Sequence, residues 1–159
     1  MSLLEVQYKF ENSIIPKGKW RQCNPQRKVA GTFYRKRNAM NFIHGAIYSD
    51  ENNLKYGIIV EKEPNNKYDK NALKLIGCWH KKRLFSSPVP RCKHIGYVPR
   101  GLAEFVSTLP PETPLAAELK YAKIKNKNNR FGDVFIDIYF VLLLPGLLSG
   151  FWDGRGHPF

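Results

Sequence analysis

Apolar and polar positions alternate with a period of two over much of this chain, and helical periods are short. Lys55 to Lys62 is rich in Ile and Val and reads as a strand. After it, Pro64-Asn65-Asn66 forms a turn, and Leu73 and Leu75 flank Lys74 in a half-buried strand over Asn71 to Ile76. A further strand is expected from about Lys93 to Val98. Leu102, Phe105, Val106 and Leu109 then fall at i, i+3, i+4 and i+7, so a short amphipathic helix begins near Arg100 and stops at Pro110-Pro111. In Leu115 to Lys125 the apolar set runs through Leu115, Ala117, Leu119 and Tyr121 and then moves to Ala122 and Ile124, the phase change of a β-bulge near Tyr121. Asn126 to Arg130 is a turn. Ile136, Ile138, Phe140 and Leu142 form the core face of a last strand, with Phe135, Asp137 and Tyr139 facing the other way.

The amino-terminal half is less regular. Residues 1 to about 26 hold scattered apolar positions with Pro16 and Pro25, a loosely organised lead-in expected to pack on the domain. Val29 to Tyr34 reads as the first strand, with Gly31 allowing a bend. Asn38 to Tyr48 fits a short helix or a strand equally, and Asp50 to Asn53 marks a turn. Five or six strands with a short helix and no βαβ alternation predict a mainly β fold, a small barrel rather than a doubly wound sheet. At 159 residues the chain suits one domain. The expected division is a lead-in over 1–26, a domain over 27–142 and an apolar tail over 143–159. The longest apolar stretch, Ile138 to Trp152, is shorter than the roughly 20 residues a membrane helix needs and is interrupted by Pro145-Gly146, so no membrane association is expected.

Charge changes the picture. Lys and Arg number 26 against 13 Asp and Glu, a net charge of +13 that calls for a polyanionic partner. The basic residues recur at Lys17 and Lys19, Arg27-Lys28, Arg35-Lys36-Arg37, Lys81-Lys82-Arg83 and Lys123 to Arg130, a dispersion that suits a groove better than a disordered arm. Cys23, Cys78 and Cys92 give no even disulfide framework, and the segment MSLLEVQYKF holds no long apolar stretch of the kind expected in a signal peptide. The expectation is therefore an intracellular protein of the cytoplasm, nucleoid or nucleus.

The most informative segment is Glu63 to Leu75, EPNNKYDKNALKL, followed by His94 to Arg100, HIGYVPR. It sets the ring of Tyr68 beside the carboxylate of Asp69 on a turn, where Pro fixes φ and Asn side chains bond the local backbone. Arg100, at the start of the expected helix, is placed to help its N–H groups receive an anion.

VAGTFY, EPNNKYDKNALKL and IGYVPRGLAEFV together resemble the HIRAN domain, a DNA-binding module found ahead of helicase-like remodelling and repair translocases and also alone or in other fusions. The resemblance covers about Val29 to Phe140. It implies an OB-like β-barrel, here of six strands with one or two short helices, that binds single-stranded DNA at its 3′ end. It further implies ring stacking at Tyr34 and Tyr68, acceptance of a bond from the 3′-hydroxyl by Asp69, and a base- or sugar-contacting amide at Asn66. Arg100 takes the phosphate contact, and an aromatic of the last strands falls on Phe131 or Phe135. Phe33 and Tyr97 stand where some members have Arg and His, departures that bear on the phosphate contacts and leave the pocket untouched, and Tyr97 is counted among the DNA-binding residues. A helicase or nuclease partner is implied as well; no cofactor is.

The chemistry is coherent on its own terms. Base–aromatic stacking contributes about 1 to 3 kcal/mol per base whatever the sequence. A 3′-hydroxyl donates to a carboxylate, whereas an internal nucleotide brings a phosphate; two like charges about 4 Å apart repel by roughly 4 kcal/mol at an effective dielectric near 20.

Four other arrangements compete. Tyr68 and Asp69 are also what a plain turn with an Asp cap would contain. Cys78-x-His80 and Cys92-x-His94 would meet in a hairpin as a metal site, although the spacing is not that of a zinc knuckle. Asp50 with Glu118-x-Lys120 faintly imitates a metal-dependent nuclease, and the apolar Leu142 to Trp152 would suit a protein-interaction module. No phosphate-binding glycine loop, nucleophile elbow or HExxH helix is present, and the protein is expected not to be an enzyme.

Overall fold

A computed structural model of the chain describes residues 4–126 and 134–146. Within them lie β1 (Leu4–Lys9), β2 (Trp20–Gln22), β3 (Arg27–Lys28), a 3₁₀ turn (Thr32–Arg35), α1 (Lys36–Glu51), β4 (Gly57–Lys62), β5 (Leu73–Lys81), β6 (Val89–Tyr97), α2 (Arg100–Ser107), β7 (Ala116–Asn126) and β8 (Val134–Pro145). The fold is mainly β, but the expected six-stranded barrel is not what forms. Eight strands make an open antiparallel sheet of order β2-β8-β7-β4-β5-β6, with β1 paired to β7 and β3 to β8.

The long strands β7 and β8 explain the two extra strands. Each is long enough to serve two partners on its outer edge: β7 meets β4 at Ala117 and β1 from Tyr121 to Asn126, while β8 meets β3 at Tyr139 and Phe140 and β2 from Leu143 to Pro145. The register of β7 on β8 shifts between Leu119 and Tyr121, where the change of hydrophobic phase placed a bulge. The amino-terminal segment is thus more ordered than its prolines suggest, and residues 143–145 belong to β8 rather than to a tail. Of the expected turn over Asn126 to Arg130, all but Asn126 lies outside the described residues, as do Phe131 and the stretch from 147 onward.

Among the described residues no ladder joins the two ends of the sheet. The edge of β6 reaches the chain leaving β3 through a single bridge, in which Ala30 N–H donates to Tyr97 O and Tyr97 N–H to Ala30 O, both at 2.8 Å. Gly96 makes this approach possible, since a Cβ there would stand 2.4 Å from Ala30 O.

Val29 to Tyr34 is accordingly not a strand. Gly31 takes φ 79°, a left-handed conformation that breaks extension, and Tyr34 N–H then donates to Gly31 O at 3.1 Å to form the 3₁₀ turn. Asn38 to Tyr48 resolves as part of the 16-residue α1, whose buried residues Ala39, Phe42, Ile43, Ala46 and Ser49 keep helical spacing. The helix lies flush on β5 because Gly45 leaves room for Trp79 and Gly77 for Phe42; a Cβ at either would overlap those rings. Asn53, at φ 55°, turns the chain out of α1.

Cys78 and Cys92 face each other across β5 and β6 and form a disulfide. The paired spacing seen in the sequence therefore reflects a cross-strand bond, not a metal site. With two of three cysteines bonded, cysteine usage no longer argues for a reducing compartment. No described helix is long and apolar enough to cross a membrane.

Candidate nucleic-acid interface

The turn between β4 and β5 is held by side chains of its own. Glu63 N–H donates to Ala72 O at 3.0 Å and closes the base, and Asn66 N–H donates to Glu63 O at 3.0 Å. The amide oxygen of Asn66 accepts the backbone N–H of Tyr68 at 2.9 Å and of Asp69 at 3.0 Å. Its Nδ2 donates to Glu63 Oε1 at 2.8 Å and to the Tyr97 hydroxyl at 3.4 Å. Asn66 is thereby engaged on both sides within the protein, so the free base-contacting amide expected of it is replaced by a loop-building one.

With Asn66 beneath it, the Tyr68 ring stands 90% exposed. Asp69 is half-buried; its Oδ1 accepts Asn71 N–H at 2.9 Å, the Asp cap that a plain turn would also show. Among the described residues no donor reaches Oδ2. The carboxylate keeps one open acceptor beside an open ring.

The 3₁₀ turn brings the second ring. Thr32 Oγ1 donates to Ile136 O at 3.1 Å and pins the turn to β8, which leaves Tyr34 outside the core at 84% exposure. Large aromatic surface left in water at two neighbouring places is unfavourable by burial alone and points to a ligand.

Tyr97 joins the two loops. Its hydroxyl donates to Glu63 Oε1 at 3.0 Å, its ring lies edge-on to His94 with centroids 4.9 Å apart, and the Arg35 guanidinium carbon sits 5.2 Å from the ring centroid. Arg35 Nε donates to His94 Nδ1 at 3.1 Å, so His94 is the Nε2-protonated tautomer, bonded to Gly96 O at 2.9 Å. Burial and, after it, the Arg35 charge hold the His94 pKa below its ordinary value of 6.5. The Asn66 bond, with help from Tyr97, holds the Glu63 carboxyl below its ordinary value against a smaller effect of burial. Burial and the Glu63 carboxylate raise the Tyr97 phenol.

These elements enclose one open cavity of about 840 Å³, and Tyr34, Asn66, Tyr68, Asp69, Tyr97 and Arg100 all line it. Arg100 opens α2 and is shared with Glu104 one turn on, at 3.6 Å. Phe135 is not part of it. That ring lines a separate depression with Phe33, Lys28 and Lys36, next to the first through Ala30. Arg35, Glu63 and Lys67 also line the main cavity, although the sequence motifs did not single them out. Arg35 follows Tyr34 directly, and that adjacency was the available signal.

The family model of the HIRAN domain matches residues 28–133, which takes in every residue lining the cavity. The chain belongs to the HIRAN domain family. HIRAN domains are in general modules that bind single-stranded DNA. Neither the curated proteins nor the solved structures contain a match to this HIRAN chain.

The rival chemistries find other uses for their residues here. Asp50, at the end of α1, accepts hydrogen bonds from Tyr8, from Tyr56 at 2.8 Å and from Asn12 at 3.1 Å. Burial works to raise its pKa, but these bonds together outweigh it and keep the carboxyl low. Glu118 is bonded to Lys120 at 2.8 Å. Among the described residues no three His, Cys, Asp or Glu side chains gather where they would share a metal ion. Leu142, Leu143 and Leu144, which open the apolar segment that would suit a protein-interaction module, are buried in the fold.

Proposed function

We propose that this HIRAN domain binds the 3′-hydroxyl end of a single DNA strand in the cavity between the 3₁₀ turn and the β4–β5 turn. The observation that carries this reading is that two exposed rings, Tyr34 and Tyr68, and a carboxylate with one open oxygen, Asp69, line the same cavity. The rings take the terminal bases by stacking, which is indifferent to sequence. Asp69 Oδ2 accepts the bond of the terminal hydroxyl. A continuing strand would place a phosphate there instead, and repulsion between like charges disfavours it.

Arg100 and Arg35 meet the preceding phosphates. Arg35 takes this role with its terminal nitrogens, because its Nε is held by His94. Asn66, Glu63 and Tyr97 position the loop rather than touch the base. The binding step needs no bond-making, so the domain serves to deliver a partner, such as a helicase or nuclease, to DNA ends.

A covalently closed single-stranded circle tests this against a linear strand of the same sequence. Fluorescence anisotropy in competition format should show the linear strand competing at least tenfold better. Equal competition by the circle would show that the cavity reads strands and not ends.

A further inference from the structure

The cavity is floored by one end of the β5–β6 hairpin, through Ala72, Tyr97 and Val98, and the opposite end of that hairpin carries chemistry the cavity does not use. At the tip, Leu84 is 82% and Phe85 93% exposed, the latter the most exposed of the large hydrophobic side chains described. Around them Lys81, Lys82, Arg83, Arg91 and Lys93 are exposed, and none makes an ion pair among the described residues. From Lys70 to Ala103 the chain has no Asp or Glu at all, so the hairpin itself carries only basic charges, and near the cavity Lys74 is paired with Glu61 and Glu63 while those toward the tip are unpaired among the described residues. The stem below the tip is fixed: Cys78 is bonded to Cys92, Trp79 packs against Gly45 of α1, and His80 N–H donates to Ser49 Oγ at 2.9 Å. Phe85 is therefore presented on a stiff arm instead of folding back onto the core.

We propose that this tip is a second contact for the same DNA strand, with Phe85 stacking on a base upstream of the end and the basic stem following the backbone between them. The inference rests on the end-binding reading above. Nine residues of β5 at about 3.3 Å each put the tip roughly 25 to 30 Å from the cavity, a reach of several nucleotides. Aromatic stacking combined with a basic track is how single strands are held without sequence preference. An anionic lipid surface offers partly similar chemistry, but the arm's continuity with the cavity wall favours the strand that the cavity already holds.

The test uses the full chain and 5′-labelled thymidine oligonucleotides of 4 and 16 nucleotides with free 3′-hydroxyls. Wild type should bind the longer strand at least tenfold more tightly. L84S/F85S should lose most of that gain while binding the 4-mer within twofold of wild type. Because both side chains are exposed, the variant's melting temperature should match wild type. F85W should be quenched by the 16-mer and not by the 4-mer. An unchanged length gain in L84S/F85S, equal loss for both lengths, or loss of binding to phosphatidylserine vesicles with DNA binding intact would each overturn the proposal. If wild type fails to bind the 4-mer, the end-binding reading falls instead, and quenching of F85W by the 16-mer still reports the hairpin contact.

Discussion

The side-chain oxygen of Asn66 accepts the backbone N–H of Asp69 at 3.0 Å, and with it the acid beside the cavity is held by an amide three residues earlier. The same oxygen holds Tyr68 N–H, so one side chain sets both the ring and the carboxylate. Asn66→Ala removes that support. Each such bond contributes about 1 kcal/mol net. Affinity for a 3′-hydroxyl strand is expected to fall about tenfold, and unfolding free energy by roughly 1 to 2 kcal/mol. Amide exchange at Tyr68 and Asp69 should accelerate at least tenfold in the variant. Unchanged exchange together with weakened binding would mean that Asn66 acts on the DNA directly.

Tyr34 and Tyr68 should separate binding from stability. Each lies almost wholly in solvent, so Tyr34→Ala and Tyr68→Ala are expected to leave the melting temperature within a degree or two of wild type. Loss of one stacked base at about 1 to 3 kcal/mol weakens DNA binding by roughly 5- to 150-fold, measured by anisotropy. Tyr→Phe at either position keeps the ring face and should retain most of the affinity.

How far the sequence showed all this varies by residue. The Tyr68–Asp69 turn was legible because its causes are local: Pro64 and the two Asn residues build it whatever surrounds them. The same holds for α2 and for the bulge near Tyr121, where spacing alone carries the signal. Tyr34 lines the cavity, but from a 3₁₀ turn and not from the strand expected over Val29 to Tyr34. Its turn depends on φ 79° at Gly31 and on the Ala30–Tyr97 bridge, which joins positions 67 residues apart. The helix α1 was ambiguous because what settles it is the glycine gaps at Gly45 and Gly77, a tertiary fit. The disulfide needed the β5–β6 register: the spacing suggested that Cys78-x-His80 and Cys92-x-His94 meet in a hairpin, but as metal ligands, and the bond is evident only once the two cysteines stand directly opposite.

His94 should give the fold a mild dependence on pH. Its folded-state pKa lies below the ordinary 6.5, so just under pH 6.5 the unfolded chain binds a proton that the folded chain refuses. Stability is therefore expected to fall as pH drops from about 6.5 toward the folded-state value, and to level off beneath it. Protonation also ends the acceptance of the Arg35 bond at Nδ1 and sets two cations side by side, with Lys74 nearby and Glu63 partly compensating. Glu63 works in a separate window: its carboxyl is held below 4.5, so its contribution is present above 4.5 and is lost as pH falls through the lower folded value. Melting temperatures taken from pH 7.5 to 5.5 should decline in wild type and flatten in His94→Gln. An equal slope in both would place the titrating group elsewhere.

The central claim is that the cavity distinguishes a hydroxyl-terminated strand from one that carries a phosphate at the same place. Anisotropy titrations with matched 3′-hydroxyl and 3′-phosphate oligonucleotides, on wild type and Asp69→Asn, test it most directly. Wild type should bind the phosphorylated strand at least tenfold more weakly, and Asp69→Asn should narrow that gap to about threefold or less by removing the repelling charge. Equal affinity of wild type for the two strands, or a gap unchanged in Asp69→Asn, would contradict it.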